Sequence, residues 1–307
     1  MSEQKTRAGF VAIVGAPNAG KSTLVNALVG SKVSIVSPKV QTTRMRVIGI
    51  AMTDLADGTR AQVVLVDTPG IFRVAKRRLE RAMVAAAWQG AQDADVIALM
   101  VDAEHGVRDE TKAIIERLKD SKAPRYVILN KIDLVPREKL LTLTAELNAM
   151  LPFESTFMVS ALKKDGIDDV LKALAVHLPL GHFLYPEDQA ADLPLRLLAA
   201  EVTREQVFLQ LHQELPYEAA VETEKWEERK DGGVRIEQII YVQREGQRAI
   251  FLGKGGARIK QIGARARHEL AEMLERPVHL FLHVKVSERW AESPSHYRTI
   301  GLDFDPK

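Results

Sequence analysis

The sequence predicts an α/β domain built on a mostly parallel six-stranded sheet, followed by a smaller α+β domain. Three observations carry this expectation. Short apolar runs rich in β-branched residues alternate with amphipathic segments up to about residue 178, the alternation stops at a stretch bearing prolines and glycines, and a different order of elements follows. A chain of 307 residues, 46% hydrophobic and 27% charged, has the composition of a folded protein and the length of two domains.

The strands are expected at 10–14, 47–52, 61–66, 95–101, 125–129 and 156–159, each bounded by Gly, Pro, Asp or Asn. Between them, 21–29, 79–89, 109–119, 137–150 and 167–177 mix apolar residues at three- and four-residue spacing with charges, the pattern of helices covering both faces of a parallel sheet. Residues 54–59 with their Asp-Gly pair make a turn too short for a parallel crossover, so one edge strand is antiparallel. The first domain is placed at 8–178. A linker at 179–194 carries Pro179, Gly181, Pro186 and Pro194. The second domain, 195–290, reads as a helix at 195–211, strand-like 217–223 and 235–242, a glycine turn, a basic helix and an alternating strand at 278–284, with a tail at 291–307.

Several function classes are excluded at once. With no cysteine, the chain has no disulfide framework, no thiolate-held cluster and no thiol nucleophile, and a reducing compartment fits. The apolar stretch after Arg7 is too short for a signal peptide, and no apolar run reaches the roughly 18 residues of a bilayer span. A cytoplasmic protein is expected, with peripheral membrane contact left open. Lys and Arg number 43 against 41 Asp and Glu, a net charge of +2, so affinity for nucleic acid must come from a local patch.

The chemistry-bearing motifs sit at strand ends. Gly15-Ala16-Pro17-Asn18-Ala19-Gly20-Lys21-Ser22 matches G-x-x-x-x-G-K-[ST] directly after a strand and, with Thr23, opens a helix. Its backbone N–H groups and the helix N-terminus suit phosphates, Lys21 reaches the β- and γ-phosphates, and the Ser22 hydroxyl fits one Mg²⁺ position. Asp67-Thr68-Pro69-Gly70 ends another strand, placing Asp67 to act on Mg²⁺ through water and the Gly70 N–H to meet a γ-phosphate. In Asn130-Lys131-Ile132-Asp133 the carboxylate of Asp133 accepts from guanine N1–H and its exocyclic amine, an edge adenine lacks. Asn130 and the Lys131 stem support the base and phosphate loop, and Ser160-Ala161-Leu162 offers an N–H to guanine O6.

These four elements in this order resemble the P-loop GTPase superfamily. The resemblance implies that Gln41-Thr42-Thr43-Arg44 is the first switch, in which a threonine, preferably Thr43, contacts Mg²⁺ when GTP is bound. Ile71 stands where Ras-like members carry a water-orienting glutamine, so intrinsic hydrolysis is expected to be slow. Asn18 serves either loop geometry or, as in related GTPases, a K⁺ site beside the phosphates. The basic run Arg73, Lys76, Arg77, Arg78 and Arg81 is either a solvated helix face or a surface for RNA or a partner.

In the second domain Gly253-Lys254-Gly255-Gly256 precedes a helix carrying Arg258 and Lys260, and between Arg248 and Arg267 no acidic residue occurs. A glycine turn admits a close backbone, and the adjacent bases attract phosphates. This is similar to the GXXG loop of a type II KH domain, whose resemblance places RNA-backbone contacts at Gly253, Lys254, Gly255, Gly256, Arg258 and Lys260, with Ile259 and Ile262 in groove or core. Phosphate loop and KH module together resemble the bacterial Era GTPase family over residues 8–290. That resemblance implies GTP and GDP with Mg²⁺ as ligands, 16S rRNA near its 3′ end and the 30S ribosomal subunit as partners, and a role in 30S assembly and rRNA maturation; a monomer is expected. Two other classes remain: an RNA-binding guanine-nucleotide sensor with little hydrolysis, and a membrane-associated GTPase. His279 and His283 lack further ligands for a metal site, and Trp88, Trp226 and Trp290 are read as core or contact residues.

Overall fold

A computed structural model describes residues 5–72, 75, 77–212 and 215–306. Its central strand is β1 (Thr6–Gly15), whose apolar run is buried on both faces: Val11 and Ile13 enter one core, Ala12 and Val14 the other. Around it lie β2 (Val47–Asp54), β3 (Arg60–Asp67), β4 (Val96–Asp102), β5 (Arg125–Asn130) and β6 (Ser155–Val159) in the order β2-β3-β1-β4-β5-β6. All neighbours run parallel except β2 and β3, which pair antiparallel from Val47↔Asp67 to Asp54↔Arg60. Their turn is fixed by the Thr59 N–H donating to Asp57 Oδ1 at 2.9 Å. The antiparallel edge is thus where the sequence put it.

Helices α1 (Lys21–Val29) and α5 (Ile167–Val176) bury Leu24, Val25, Val170 and Leu174 on one face of the sheet. On the other face α2 (Arg78–Gln92), α3 (Asp109–Leu118) and α4 (Arg137–Met150) bury Trp88, Ile114 and Leu147. Because β1, β3, β4 and β5 are parallel, their carboxyl ends, Gly15, Asp67, Asp102 and Asn130, emerge along one edge, where open α/β sheets bind ligands.

The chain divides into two compact units, Met1–Asp192 with Gly301–Lys307, and Leu193–Ile300. The stretch read as a linker is therefore mostly fastened to the first unit. Ile50 donates its N–H to Ala190 O at 2.8 Å, Asp192 donates to Ile48 O at 3.2 Å, and Gly181 donates to Thr6 O at 3.0 Å. Gln62, fully buried on β3, takes the Leu184 and Tyr185 N–H groups on Oε1 at 2.8 and 3.0 Å and donates Nε2 to Tyr185 O at 2.8 Å. The last residues of the chain belong to the same unit, where Arg78 meets Asp305 at 2.9 Å and covers the Phe304 ring at 4.1 Å.

The second unit comprises α6 (Leu195–Gln210), β7 (Ala220–Glu228), β8 (Val234–Val242), α7 (Glu245–Leu252), α8 (Ala257–Leu274), β9 (Val278–Val286) and α9 (Pro294–Thr299). The sheet order is β7-β8-β9, antiparallel then parallel. This helix, strand, strand, helix, helix, strand order is the type II KH arrangement that the sequence resembles, with α7 ahead of the glycine turn. β7 runs five residues past the expected 217–223 segment: Glu224-Lys225-Trp226-Glu227-Glu228 is too charged to read as a strand but ladders onto β8 after a bulge between Thr223 and Lys225. Inside the segment read as a tail, α9 forms with Tyr297 fully buried. Among the described residues no helix is long and apolar enough to cross a membrane.

Candidate functional site

The loop from Gly15 to Gly20 wraps tightly because two of its residues take the left-handed conformation, Asn18 at φ 61° and Gly20 at φ 96°. Gly20 tolerates no side chain: a Cβ there would lie 2.3 Å from Asn130 Nδ2. α1 starts at the next residue, so its unpaired N–H groups and positive dipole end face the cradle. Lys21 is buried, and its ammonium donates to Gly15 O at 3.1 Å and Ala16 O at 3.0 Å. Burial lowers its pKa to about 8, against the opposing pull of the Asp67 carboxylate.

Beside Lys21, three hydroxyls converge on a fully buried Asp67. Ser22 Oγ and Ser34 Oγ each donate to Asp67 Oδ2 at 2.7 Å, and Thr43 Oγ1 lies 3.5 Å from it and 2.8 Å from Ser22 Oγ. Burial pushes the Asp67 carboxyl upward, while the Ser22 and Ser34 hydrogen bonds, the Lys21 charge and Thr43 act against it. Asp67 Oδ1 is buried without a hydrogen-bond partner. A buried acceptor of this kind beside two hydroxyls fits a hard divalent cation with its waters. Of the two switch threonines, Thr43 faces Asp67, while Thr42 Oγ1 donates to Lys39 O at 2.7 Å. Ser34 had no motif to announce it; nothing in its local sequence differs from an ordinary loop serine.

Past Asp67, Thr68 Oγ1 donates to Ile13 O at 2.7 Å and anchors the turn through Pro69. Gly70 lies against the phosphate loop so closely that a Cβ would sit 2.9 Å from Pro17 Cα. The Ile71 N–H donates to Gly15 O at 3.2 Å, and its side chain, 5% exposed, packs into the core with Ala12 and Val14. Ile71 therefore contributes packing at the position where a water-orienting side chain would stand. Asn18 Nδ2 donates to Pro38 O at 3.1 Å, joining the phosphate loop to the segment just before the first switch. Of the basic run after the second switch, which is the Asp67-Thr68-Pro69-Gly70 turn and the loop that follows it, Arg73 and Lys76 fall outside the described residues; Arg77 caps α2, and Arg78 and Arg81 lie in its first turn.

At the other end of the edge, Asn130 is 3% exposed and bridges two loops, donating Nδ2 to Ala19 O at 2.8 Å and accepting the Ala161 N–H on Oδ1 at 3.0 Å. Of the Ser160-Ala161-Leu162 N–H groups that the sequence offered to guanine O6, that of Ala161 is thus donated to Asn130. Ser160 is held by reciprocal backbone bonds with Asp165, and Leu162 is 83% exposed at the rim. Lys131, left-handed at φ 65°, carries the chain into a single 3₁₀ turn, Ile132–Leu134, that presents Asp133. A hydrogen bond from Ser160, then the Lys163 ammonium at 3.3 Å, hold the Asp133 carboxyl below the ordinary carboxylate range, so it stays ionised as an acceptor. The Lys131 ammonium reaches Asp102 Oδ2 at 2.6 Å, a partner that the sequence reading did not identify.

In the second unit, Gly253 (φ 68°), Gly255 (φ 60°) and Gly256 (φ 77°) form the turn between α7 and α8, and a Cβ on Gly255 would meet open space. Lys254 and Lys260 are exposed. Arg258 instead donates to Gln210 O at 2.7 Å, fixing the turn to the end of α6. A groove beside the turn is lined by Ile259, Lys260, Gly263, Arg267, Leu280 and Leu282, while Ile262 is fully buried in the core. Gly263 and Arg267 belong to this groove but lay outside the sequence motif.

Comparison with known proteins agrees with this layout. A family model described as 50S ribosome-binding GTPase matches residues 10–131, and one described as KH domain matches residues 214–291. The chain is 59% identical to a GTPase Era of Sinorhizobium medicae over 97% of its own length and 94% of the relative's. It is 58% identical to a GTPase Era of a Bradyrhizobium strain over 98% and 96%. Among solved structures, a tyrosine-to-alanine variant of Aquifex aeolicus Era bound to GDP·AlF4⁻ superposes with a TM-score of 0.90 at 42% identity, covering 96% of this chain and 99% of that one. An Era in complex with MgGDPNP and nucleotides 1506–1542 of 16S ribosomal RNA gives the same TM-score and coverage at 41% identity. A phosphate loop, a guanine-type carboxylate and a KH module in one chain, matched over nearly its whole length, make this protein a member of the Era family of GTPases.

Proposed function

We propose that this GTPase is a cytoplasmic monomer whose nucleotide state governs its hold on the 3′ region of 16S rRNA during assembly of the 30S subunit. The observation that carries the reading is the convergence of Ser22, Ser34 and Thr43 on buried Asp67, with Asp67 Oδ1 left as an unpaired acceptor at the mouth of the phosphate cradle. Ser22 and Thr43 would hold Mg²⁺ directly and Asp67 through water; the ion, when bound, neutralises charge on the β- and γ-phosphate oxygens. The N–H groups of residues 15–23 wrap the phosphates, Lys21 pairs with the β- and γ-phosphates, and Gly70 offers its N–H to the γ-phosphate. Water attacks the γ-phosphorus and GDP leaves with its β-phosphate oxygen, so no covalent enzyme intermediate forms.

With Ile71 packed in the core, orientation of that water would fall to backbone groups, and a K⁺ held beside Asn18 would supply further positive charge. On hydrolysis the hold of Thr43 on Mg²⁺ and of the Gly70 N–H on the γ-phosphate would be lost, which frees both switch segments. The Era structure containing 16S rRNA nucleotides supports the RNA partner, and the exposed Lys254 and Lys260 beside a glycine turn supply the chemistry for its backbone. The test is multiple-turnover phosphate release across KCl and NaCl, with and without an RNA carrying the 16S 3′ end, against Lys21→Ala. A rate raised by K⁺ or RNA and abolished in Lys21→Ala is expected. GTP binding with hydrolysis at the blank level in every condition would replace the switch with a nucleotide sensor.

A further inference from the structure

We infer that Asp102 is a positioning residue for the guanine base, acting through Lys131. Asp102 ends β4 and stands in register with Asn130, so it borders the base site without belonging to any of its motifs. Its two oxygens divide their work. Oδ1 accepts the Glu104 N–H at 3.0 Å, which shapes the following turn; Oδ2 accepts Lys131 Nζ at 2.6 Å and pairs with His105 Nδ1 at 2.8 Å. The carboxylate is largely enclosed, with its side chain 12% exposed.

Two consequences follow for the base. The Lys131 stem is a four-carbon chain that loses substantial rotamer freedom when it lies flat under a purine, and an ammonium already tied to Asp102 has given up that freedom before the nucleotide arrives. The second concerns charge. Lys131 is two residues from Asp133, so its ammonium is a competing partner for the carboxylate that must meet guanine. Asp102 claims that ammonium, and among the described residues the cation paired with Asp133 is Lys163, a side chain 64% exposed that water can replace. Asp102, Glu104 and His105 also bring ligand-type atoms within 4.8 Å of one another. With Oδ2 shared by Lys131 and His105, that cluster is an anchor for a cation side chain and not a metal site.

The inference rests on the guanine-site reading above, and the experiment separates the two. Release of a fluorescent N-methylanthraniloyl-GDP from the full-length protein is followed for wild type, Asp102→Asn, Lys131→Met and the double variant. Asn at 102 keeps an acceptor for the Glu104 N–H; Met at 131 keeps an apolar stem without the charge. Asp102→Asn is expected to speed release by about tenfold, the scale of one charge-assisted hydrogen bond lost at a partly buried site. The double variant should release no faster than Lys131→Met, because the two residues act in series. KM for GTP should rise in Asp102→Asn while kcat at saturation holds, a split that general loosening of the domain does not give. Fast release in Lys131→Met with a silent Asp102→Asn, or full additivity in the double variant, overturns the positioning role alone. A silent Lys131→Met overturns this inference and leaves the Asp133 reading standing, whereas Asp133→Ala that releases at the wild-type rate removes both.

Discussion

Lys21 ties nucleotide affinity to pH. Its pKa is lowered to about 8 chiefly by burial, and a polyphosphate in the cradle brings negative charge that raises it again. Below that pKa the lysine is protonated with or without nucleotide, so affinity is flat; above it, binding must take up a proton, and affinity falls by up to about tenfold per pH unit until the liganded pKa is passed. Titration calorimetry of GDP binding in buffers of different ionisation enthalpy should show more proton uptake near pH 9 than near pH 6.5, where the terminal phosphate of GDP adds its own proton release. Equal heats at both would mean that Lys21 is not the group in the cradle. Gly70 gives a steric counterpart: Gly70→Ala puts a methyl group 2.9 Å from Pro17 Cα, which only a backbone shift relieves, and loss of GTP-dependent ordering of the second switch, read by protease protection, is expected. Most residues of this site were legible because each sits in a motif whose spacing is dictated by phosphate or guanine chemistry. Ser34 and Asp102 were not, since their roles are long-range hydrogen bonds, to Asp67 and from Lys131, that no local pattern encodes.

The β2–β3 pair joins both switch segments, with Val47 opposite Asp67, and residues 184–192 fasten to the same two strands through Gln62, Ile48 and Ile50. The individual strands and helices of the first unit could be read from period alone, because their burial on one or two faces imposes the pattern. The fastening could not. Its prolines and glycines read as a tether, while the residue that holds it is a polar side chain inside an apolar strand, which meets its partners more than 120 residues later. β7 shows the same limit, since a solvated outer face and a bulge erase the alternation. Gln62→Leu leaves the Leu184 and Tyr185 amides without their acceptor, at a cost of about 1–3 kcal/mol for each group left buried. Hydrogen exchange should accelerate at Leu184 and Tyr185 while Val63 to Val66 on β3 keep their protection. Unchanged exchange at those two amides would show that the backbone bonds at Ile48 and Ile50 hold the segment alone.

Over the whole molecule the charges nearly cancel, at +2, so RNA affinity depends on where the basic groups are placed. The run from Arg248 to Arg267 has six basic and no acidic residues, but they are not equivalent. Arg248 pairs with Glu245 at 3.4 Å, and Arg258 is engaged with Gln210 O, whereas Lys254 and Lys260 are exposed at the glycine turn and its groove. For single-stranded RNA each phosphate neutralised contributes about −0.7 to the slope of log affinity against log salt. Lys254→Ala with Lys260→Ala should therefore make that slope shallower by roughly 1.4, and should weaken all sequences alike, because the contacts are to the backbone. Gly255→Asp tests the same site by repulsion. A Cβ there meets open space and aspartate tolerates positive φ better than most residues, so the added charge and not a steric clash is what RNA would meet. If the nucleotide site and this turn work as one switch, both changes abolish stimulation of GTP hydrolysis by the 16S 3′-end RNA, with RNA-free hydrolysis as the reference. Stimulation that survives the loss of the salt slope would place the activating RNA contact elsewhere on the protein.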